Sequence, residues 1–107
     1  MMWDDFDVYQ NDVLFSSGPK GLPYCALGLA SEAGEVAGAV EKHARFTAGF
    51  PEPGDETRRA VAEELGDVLW YVARTARGVG YTLSQVVVMN IEKLTARYPD
   101  RFRKGDG

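Results

Sequence analysis

One eleven-residue pattern occurs twice in the chain, at a constant offset of 32 positions. Ala30-Ser-Glu-Ala-Gly-Glu-Val-Ala-Gly-Ala-Val40 aligns with Ala62-Glu-Glu-Leu-Gly-Asp-Val-Leu-Trp-Tyr-Val72. Glu32 falls on Glu64, Gly34 on Gly66, Glu35 on Asp67, Val36 on Val68 and Val40 on Val72. Each copy carries an acid-x-x-acid pair at the same phase beside an apolar stripe. The stripes are Leu29, Ala33, Val36 and Val40, and Val61, Leu65, Val68 and Val72. Positions three apart share one face of a helix. At about 100° per residue, Glu32 and Glu64 stand roughly 60° off their stripes, with Glu35 and Asp67 further round on the same side. The acids therefore flank a buried seam.

Punctuation by Pro and Gly divides the 107 residues into four helical segments and leaves room for one domain, residues 1–107. The breaks are Ser16 to Gly21 with Pro23, Gly49 to Asp55, and Gly78-Val79-Gly80. The segments expected are Trp3 to Phe15, Tyr24 to Phe46, Glu56 to Arg77 with Asp55 as N-cap, and Thr82 to Tyr98. Thr82 with Gln85 reads as a capping box, and Pro99 marks the stop. Val86-Val87-Val88 has strand propensity, but no second strand exists to pair with it and the helical period continues through Leu94. The expected architecture is all-α. The short Thr47 to Asp55 connection, a lid or a plain connector, makes the two central segments antiparallel, so the repeat approximates a two-fold and the two acid pairs face each other.

Four carboxylates in one cleft repel unless they are protonated or share a cation. Oxygen-only donors select hard cations such as Mg²⁺ or Mn²⁺. The lone Cys25 and lone His43 supply neither a disulfide nor a Cys/His zinc site, and His43 reads as a helix-surface residue. Gly34 and Gly66 lie within the two acid pairs, where glycine costs a helix about 1 kcal/mol against alanine; close backbone approach is the expected reason. The formal charge of -4 and pI near 4.9 disfavour binding to nucleic-acid polymers. The absence of a signal-peptide pattern and of a long apolar run points to a cytoplasmic, soluble chain away from membranes.

Leu29-Ala-Ser-Glu32-Ala-Gly-Glu35-Val, followed by Glu63-Glu64-Leu-Gly-Asp67-Val, resembles the MazG-type all-α nucleoside triphosphate pyrophosphohydrolases. The similarity extends to Asp5-Phe6 and Tyr9-Gln10 and to Lys93-Leu94 and Arg97-Tyr98. Many members carry two adjacent acids at the start of the first motif; here Ser31 precedes Glu32. The resemblance implies a four-helix MazG-like unit that forms a homodimer or homotetramer. It implies Glu32, Glu35, Glu64 and Asp67 as catalytic Mg²⁺ ligands, with Mn²⁺ a substitute. It also implies cleavage of (deoxy)nucleoside triphosphates between the α and β phosphates, giving the monophosphate and pyrophosphate.

In the fourth segment the stripe is Leu83, Val87, Leu94 and Tyr98, with Asn90 near its centre and Lys93 and Arg97 along one edge. Asn90 is either a hydrogen-bonded core residue or lines the cleft. Lys93 and Arg97, one turn apart, suit the β and γ phosphates, and the resemblance favours such substrate-binding roles. Trp3, Phe6, Tyr9, Tyr24, Trp70 and Tyr71 are available to core or to base stacking. Apolar helix surface such as Leu69-Trp70-Tyr71-Val72 is hard to bury in so short a chain, which favours self-association. Two rival readings are a non-catalytic helical oligomerisation module and a different metal-dependent phosphohydrolase.

Overall fold

A computed structural model of the chain describes residues 3–15, 21–46 and 52–101. The described residues form four helices: α1 Trp3–Phe15, α2 Leu22–Phe46, α3 Asp55–Gly78 and α4 Leu83–Arg97. The Ser16 to Lys20 part of the first break, residues 47–51 of the expected lid or connector, and the side chain of Trp3 lie outside what is described.

Local chemistry sets the helix ends. α2 begins at Leu22, with Pro23 inside its first turn. Proline is tolerated there because a first-turn N–H has no intrahelical partner. Gly54, not the expected Asp55, is the N-cap of α3, and no side chain caps it; Asp55 and Glu56 instead place negative charge in the first turn. α3 runs out at Gly78 and is closed by Gly80 at φ +88°. Tyr81 N–H donates to Ala76 C=O at 2.9 Å and Gly80 N–H to Arg77 C=O at 3.0 Å, the paired closure that a left-handed glycine permits. α4 opens with the expected capping box: the Thr82 hydroxyl accepts from Gln85 N–H at 3.2 Å, and the Gln85 side chain accepts from Thr82 N–H at 2.9 Å.

α2 and α3 pair along their length in antiparallel register. Gly28 meets the Tyr71 ring and Gly78 meets Leu22, Glu32 approaches Asp67, and Lys42 shares a groove with Thr57. Position rises on one helix as it falls on the other, as the two-fold repeat requires. The close approaches fall at Gly28 and Gly78, not at Gly34 and Gly66, which have no atom within 4 Å of where a Cβ would stand. That expectation is corrected. The helix pair converges at the Tyr71 end, while both motif glycines stand in open space.

The core lies at the other end of α3 from the interhelix connection. Val13, Ala73 and Leu83 are buried there, with Phe6, Tyr9, Trp70 and Val72 against them. Gln10 is fully buried and ties three elements together. Its Nε2 donates to Ala73 C=O at 3.0 Å and to Tyr81 C=O at 3.2 Å, and its Oε1 accepts from Leu83 N–H at 3.0 Å. Asp7 accepts from Ser84 N–H at 2.9 Å and from the Ser84 hydroxyl at 2.8 Å. These bonds dock α1 onto the start of α4.

Among the described helices, α2 lies against α3 alone, and α1 and α4 cover only the C-terminal half of α3. The radius of gyration is 16.6 Å, against about 13 Å for a compact chain of this length. The expected stripes are correspondingly half-covered. Leu29, Val36, Val61, Val68 and Val72 are half-buried, while Ala33, Val40 and Leu65 stay exposed. Leu65 and Leu69 are 52% and 40% exposed, yet they continue the α3 face on which Ala73 and Ala76 are 0% and 5% exposed. In α4, Leu83 is buried and Val87 and Leu94 half-buried, but Asn90, Lys93, Arg97 and Tyr98 are exposed. Of the two readings of Asn90, the buried core residue is not what the structure has, because α1 and α3 grip α4 mainly near its first turns. No described helix is long and apolar enough to cross a membrane.

Candidate active site

The α2–α3 hairpin gathers acids from both copies of the repeat. Carboxylate oxygens of Glu32, Glu64 and Asp67 lie within 4.8 Å of one another. Glu32 and Glu64 are half-buried at the edge of the helix seam and Asp67 is exposed. Glu35 is the fourth acid of the repeat. It stands beside the cluster, lining a groove together with Glu64. Glu63, the acid next to Glu64, turns to the exposed face, where Arg59 Nε donates to it at 3.0 Å.

Electrostatics records the crowding. Glu64 holds its proton above the usual carboxylate range, first because its carboxyl loses hydration, then because Asp67, Glu35, Glu32 and Glu63 bring negative charge. Tyr9 is also raised, by burial and then by Asp67, which places α1 within the field of the cluster. Tyr71 is raised by its hydrogen bond with Tyr24, by lost hydration and by charges that include Glu32. Its ring lies over Gly28, edge-on to Trp70 with centroids 4.7 Å apart. Tyr71 thereby lies within the field of Glu32.

The donor set fits a hard divalent cation. Mg²⁺ takes oxygens at about 2.1 Å in octahedral geometry, so two of its ligand oxygens lie about 3 to 4 Å apart. The oxygens of Glu32, Glu64 and Asp67, within 4.8 Å of one another, stand close to that spacing. A cation there would also neutralise the repulsion that raises Glu64.

Lys93 and Arg97 are not brought to the acids within one chain. Neither side chain makes a hydrogen bond or ion pair among the described residues, and α4 does not meet α2. Asn90 is exposed on the same helix. The groove beyond Glu35 and Glu64 was not foreseen. Its wall on α2 includes Ala39, Lys42 and His43, and His43 is half-buried there and not simply on the helix surface. The signal was present: Ala39, Lys42 and His43 follow Glu35 at spacings of four, seven and eight, one helical face.

Residues 24–102 match the MazG nucleotide pyrophosphohydrolase domain. The chain belongs to the MazG family. The match takes in both acid pairs, Lys93-Leu94 and Arg97-Tyr98; Asp5-Phe6 and Tyr9-Gln10 precede it. The MazG domain here is also similar to the Gene 37 protein of Mycobacterium phage L5, 40% identical over 88 residues, which cover 82% of this chain and 75% of the phage protein. No solved structure matches the chain.

Proposed function

We propose that this chain, as one catalytic unit, hydrolyses nucleoside or deoxynucleoside triphosphates between the α and β phosphates, releasing the monophosphate and pyrophosphate. The observation that carries the reading is the meeting of Glu32, Glu64 and Asp67 within 4.8 Å on a hairpin that matches the MazG domain. Glu32, Glu64 and Asp67, with Glu35 beside them, would hold Mg²⁺, with Mn²⁺ as a substitute. Bound there, the cation supplies charge neutralisation of the triphosphate and a lowered pKa for an attacking water. Glu35, lining the groove beside the cluster, would accept the proton from that water. Lys93 and Arg97, exposed on one edge of α4, offer positive charge for the pyrophosphate that leaves.

The proposed active form is a homo-oligomer. Leu65 and Leu69 extend the face that Ala73 and Ala76 bury, and the helices that cover the latter stop short of the former. A second copy fills that step, and with it brings another Lys93 and Arg97. A cytoplasmic location, where nucleoside triphosphates are abundant, is part of this reading. The test is incubation of the pure protein with Mg²⁺ and a panel of triphosphates, with products separated by chromatography. Monophosphate plus pyrophosphate is the expected result. Direct release of orthophosphate, or no turnover of any member, overturns the reading.

A further inference from the structure

The groove that runs from Glu35 and Glu64 along the hairpin has a volume of about 720 Å³, within the range of small-molecule sites. Its inner end is the acid cluster. Small residues, Gly38, Ala39 and Ala60, open its middle. Its outer end carries Lys42 and His43 from α2 and Glu56 and Thr57 from α3. From Glu35 to Lys42 is seven residues, about 10 Å of helix, the reach of a ribose and base beyond an α phosphate held at the acids.

We propose that this groove is the nucleoside subsite and that Lys42 and Glu56 select a base carrying a carbonyl beside a ring N–H, namely guanine, uracil or thymine. The inference rests on the triphosphate-hydrolysis reading above. The alternative occupant, the β and γ phosphates, is disfavoured by charge. At the outer end Glu56 offsets Lys42, so no excess positive charge gathers there to hold a pyrophosphate, whereas a nucleoside is neutral. The lining residues include no Phe, Tyr or Trp, and the one ring among them is the His43 imidazole, so discrimination between bases falls chiefly to hydrogen bonds. An ammonium group donates only and a carboxylate accepts only. A carbonyl next to an N–H meets both. Adenine has no carbonyl, and cytosine places a ring acceptor, not an N–H, next to its carbonyl. Lys42 forms no ion pair among the described residues, so its donors are available. Lys42 and Glu56 are exposed in the free chain; a base seated between them displaces their water, so an analogue lacking the carbonyl or the N–H leaves a partner unsatisfied.

The experiment is calorimetric titration of the full chain, in Mg²⁺, with each nucleoside monophosphate and with inorganic tripolyphosphate as a probe that has no nucleoside. The wild type is expected to bind GMP, UMP or TMP at least tenfold more tightly than AMP. Lys42→Ala should reduce that preference to within about threefold. Ala39→Leu, which keeps a strong helix former and fills the groove, should weaken every monophosphate at least tenfold. Tripolyphosphate affinity should stay within twofold in both variants, which also reports that the acid cluster is intact. The proposal is overturned if AMP binds the wild type as tightly as the others, or if the wild type binds tripolyphosphate and no monophosphate. It is overturned too if Lys42→Ala weakens tripolyphosphate as much as nucleotides, or if Ala39→Leu leaves monophosphate affinity unchanged. Absence of triphosphate turnover by the wild type is a separate result: it defeats the hydrolytic reading, while the binding pattern still decides the groove.

Discussion

Three glycines in the paired helices make opposite predictions under the same substitution. Alanine at an interior helix position gains about 1 kcal/mol over glycine. At Gly34 and Gly66 nothing stands within 4 Å of the new methyl, so Gly34→Ala should stabilise the metal-free chain by about that amount. At Gly28 the methyl would fall into the Tyr71 ring, 2.5 Å from Cζ and 2.8 Å from Cδ1. The ring is not free to retreat, since its hydroxyl is bonded to Tyr24 and its edge meets Trp70. Overpacking of this kind costs about 1–3 kcal/mol. Set against the propensity gain, Gly28→Ala should be neutral to about 2 kcal/mol destabilising, so the two variants should differ by roughly 1–3 kcal/mol. Urea unfolding followed by circular dichroism, at one protein concentration and in chelator, resolves this, because a slope of about 1–3 kcal/mol per molar converts the gap to roughly 1 M in midpoint. Concentration must be matched because assembly contributes to apparent stability. A double-mutant cycle isolates the cause. In a Tyr71→Ala background, Gly28→Ala should become stabilising, as Gly34→Ala is. If Gly28→Ala stabilises the otherwise wild-type chain as much as Gly34→Ala does, or if its effect is unchanged without the Tyr71 ring, the close approach of α2 to α3 at this point is wrong.

Glu64→Gln removes one of the crowded charges at nearly constant volume; without metal it should melt at or above the wild type, and with Mg²⁺ the order should reverse as the wild type gains binding energy, with turnover falling by orders of magnitude. An equal difference in both conditions would remove Glu64 from the ligand set. Turnover should require Mg²⁺ or Mn²⁺ and cease in excess chelator or with Ca²⁺ alone; activity persisting in EDTA would rule out the metal mechanism. Leu65→Glu should shift the light-scattering mass towards that of a single chain, whereas a wild type already monomeric at micromolar concentration contradicts the assembly. Gln10→Leu leaves the Leu83 N–H and the carbonyls of Ala73 and Tyr81 without their partner, at about 1–3 kcal/mol for each buried group that water cannot reach; a melting point unchanged from the wild type would show that the clamp between α1 and α4 carries no stability.

The repeat was legible because it combines two periodicities that survive without tertiary information: the helical period within each copy, and the constant offset between copies. With the Pro and Gly breaks and the short central connection, they pointed to four helices, a reversed central pair and the pairing of acids across it, and the structure has Glu32 meeting Asp67 and Glu64 accordingly. The capping box at Thr82 was equally local, since it needs only residues three apart. What the sequence alone could not decide is how wide an arc of each helix a neighbour covers, and how far along it reaches. Periodicity assigns a residue to a face but says nothing of whether that face meets anything. Hence Leu65 is exposed because α1 and α4 stop short of it, and Asn90, on α4 itself, because α1 and α3 meet that helix mainly nearer its start, though both are in phase with a stripe. Gly34 and Gly66, marked by the motif, stand in open space, while Gly28, outside it, bears the close approach. The groove that joins Lys42 and His43 to Glu56 and Thr57 exists only because the hairpin's register sets α2's later turns opposite α3's first ones; those residues are fourteen or so apart in sequence, and no helical period relates positions on two different helices.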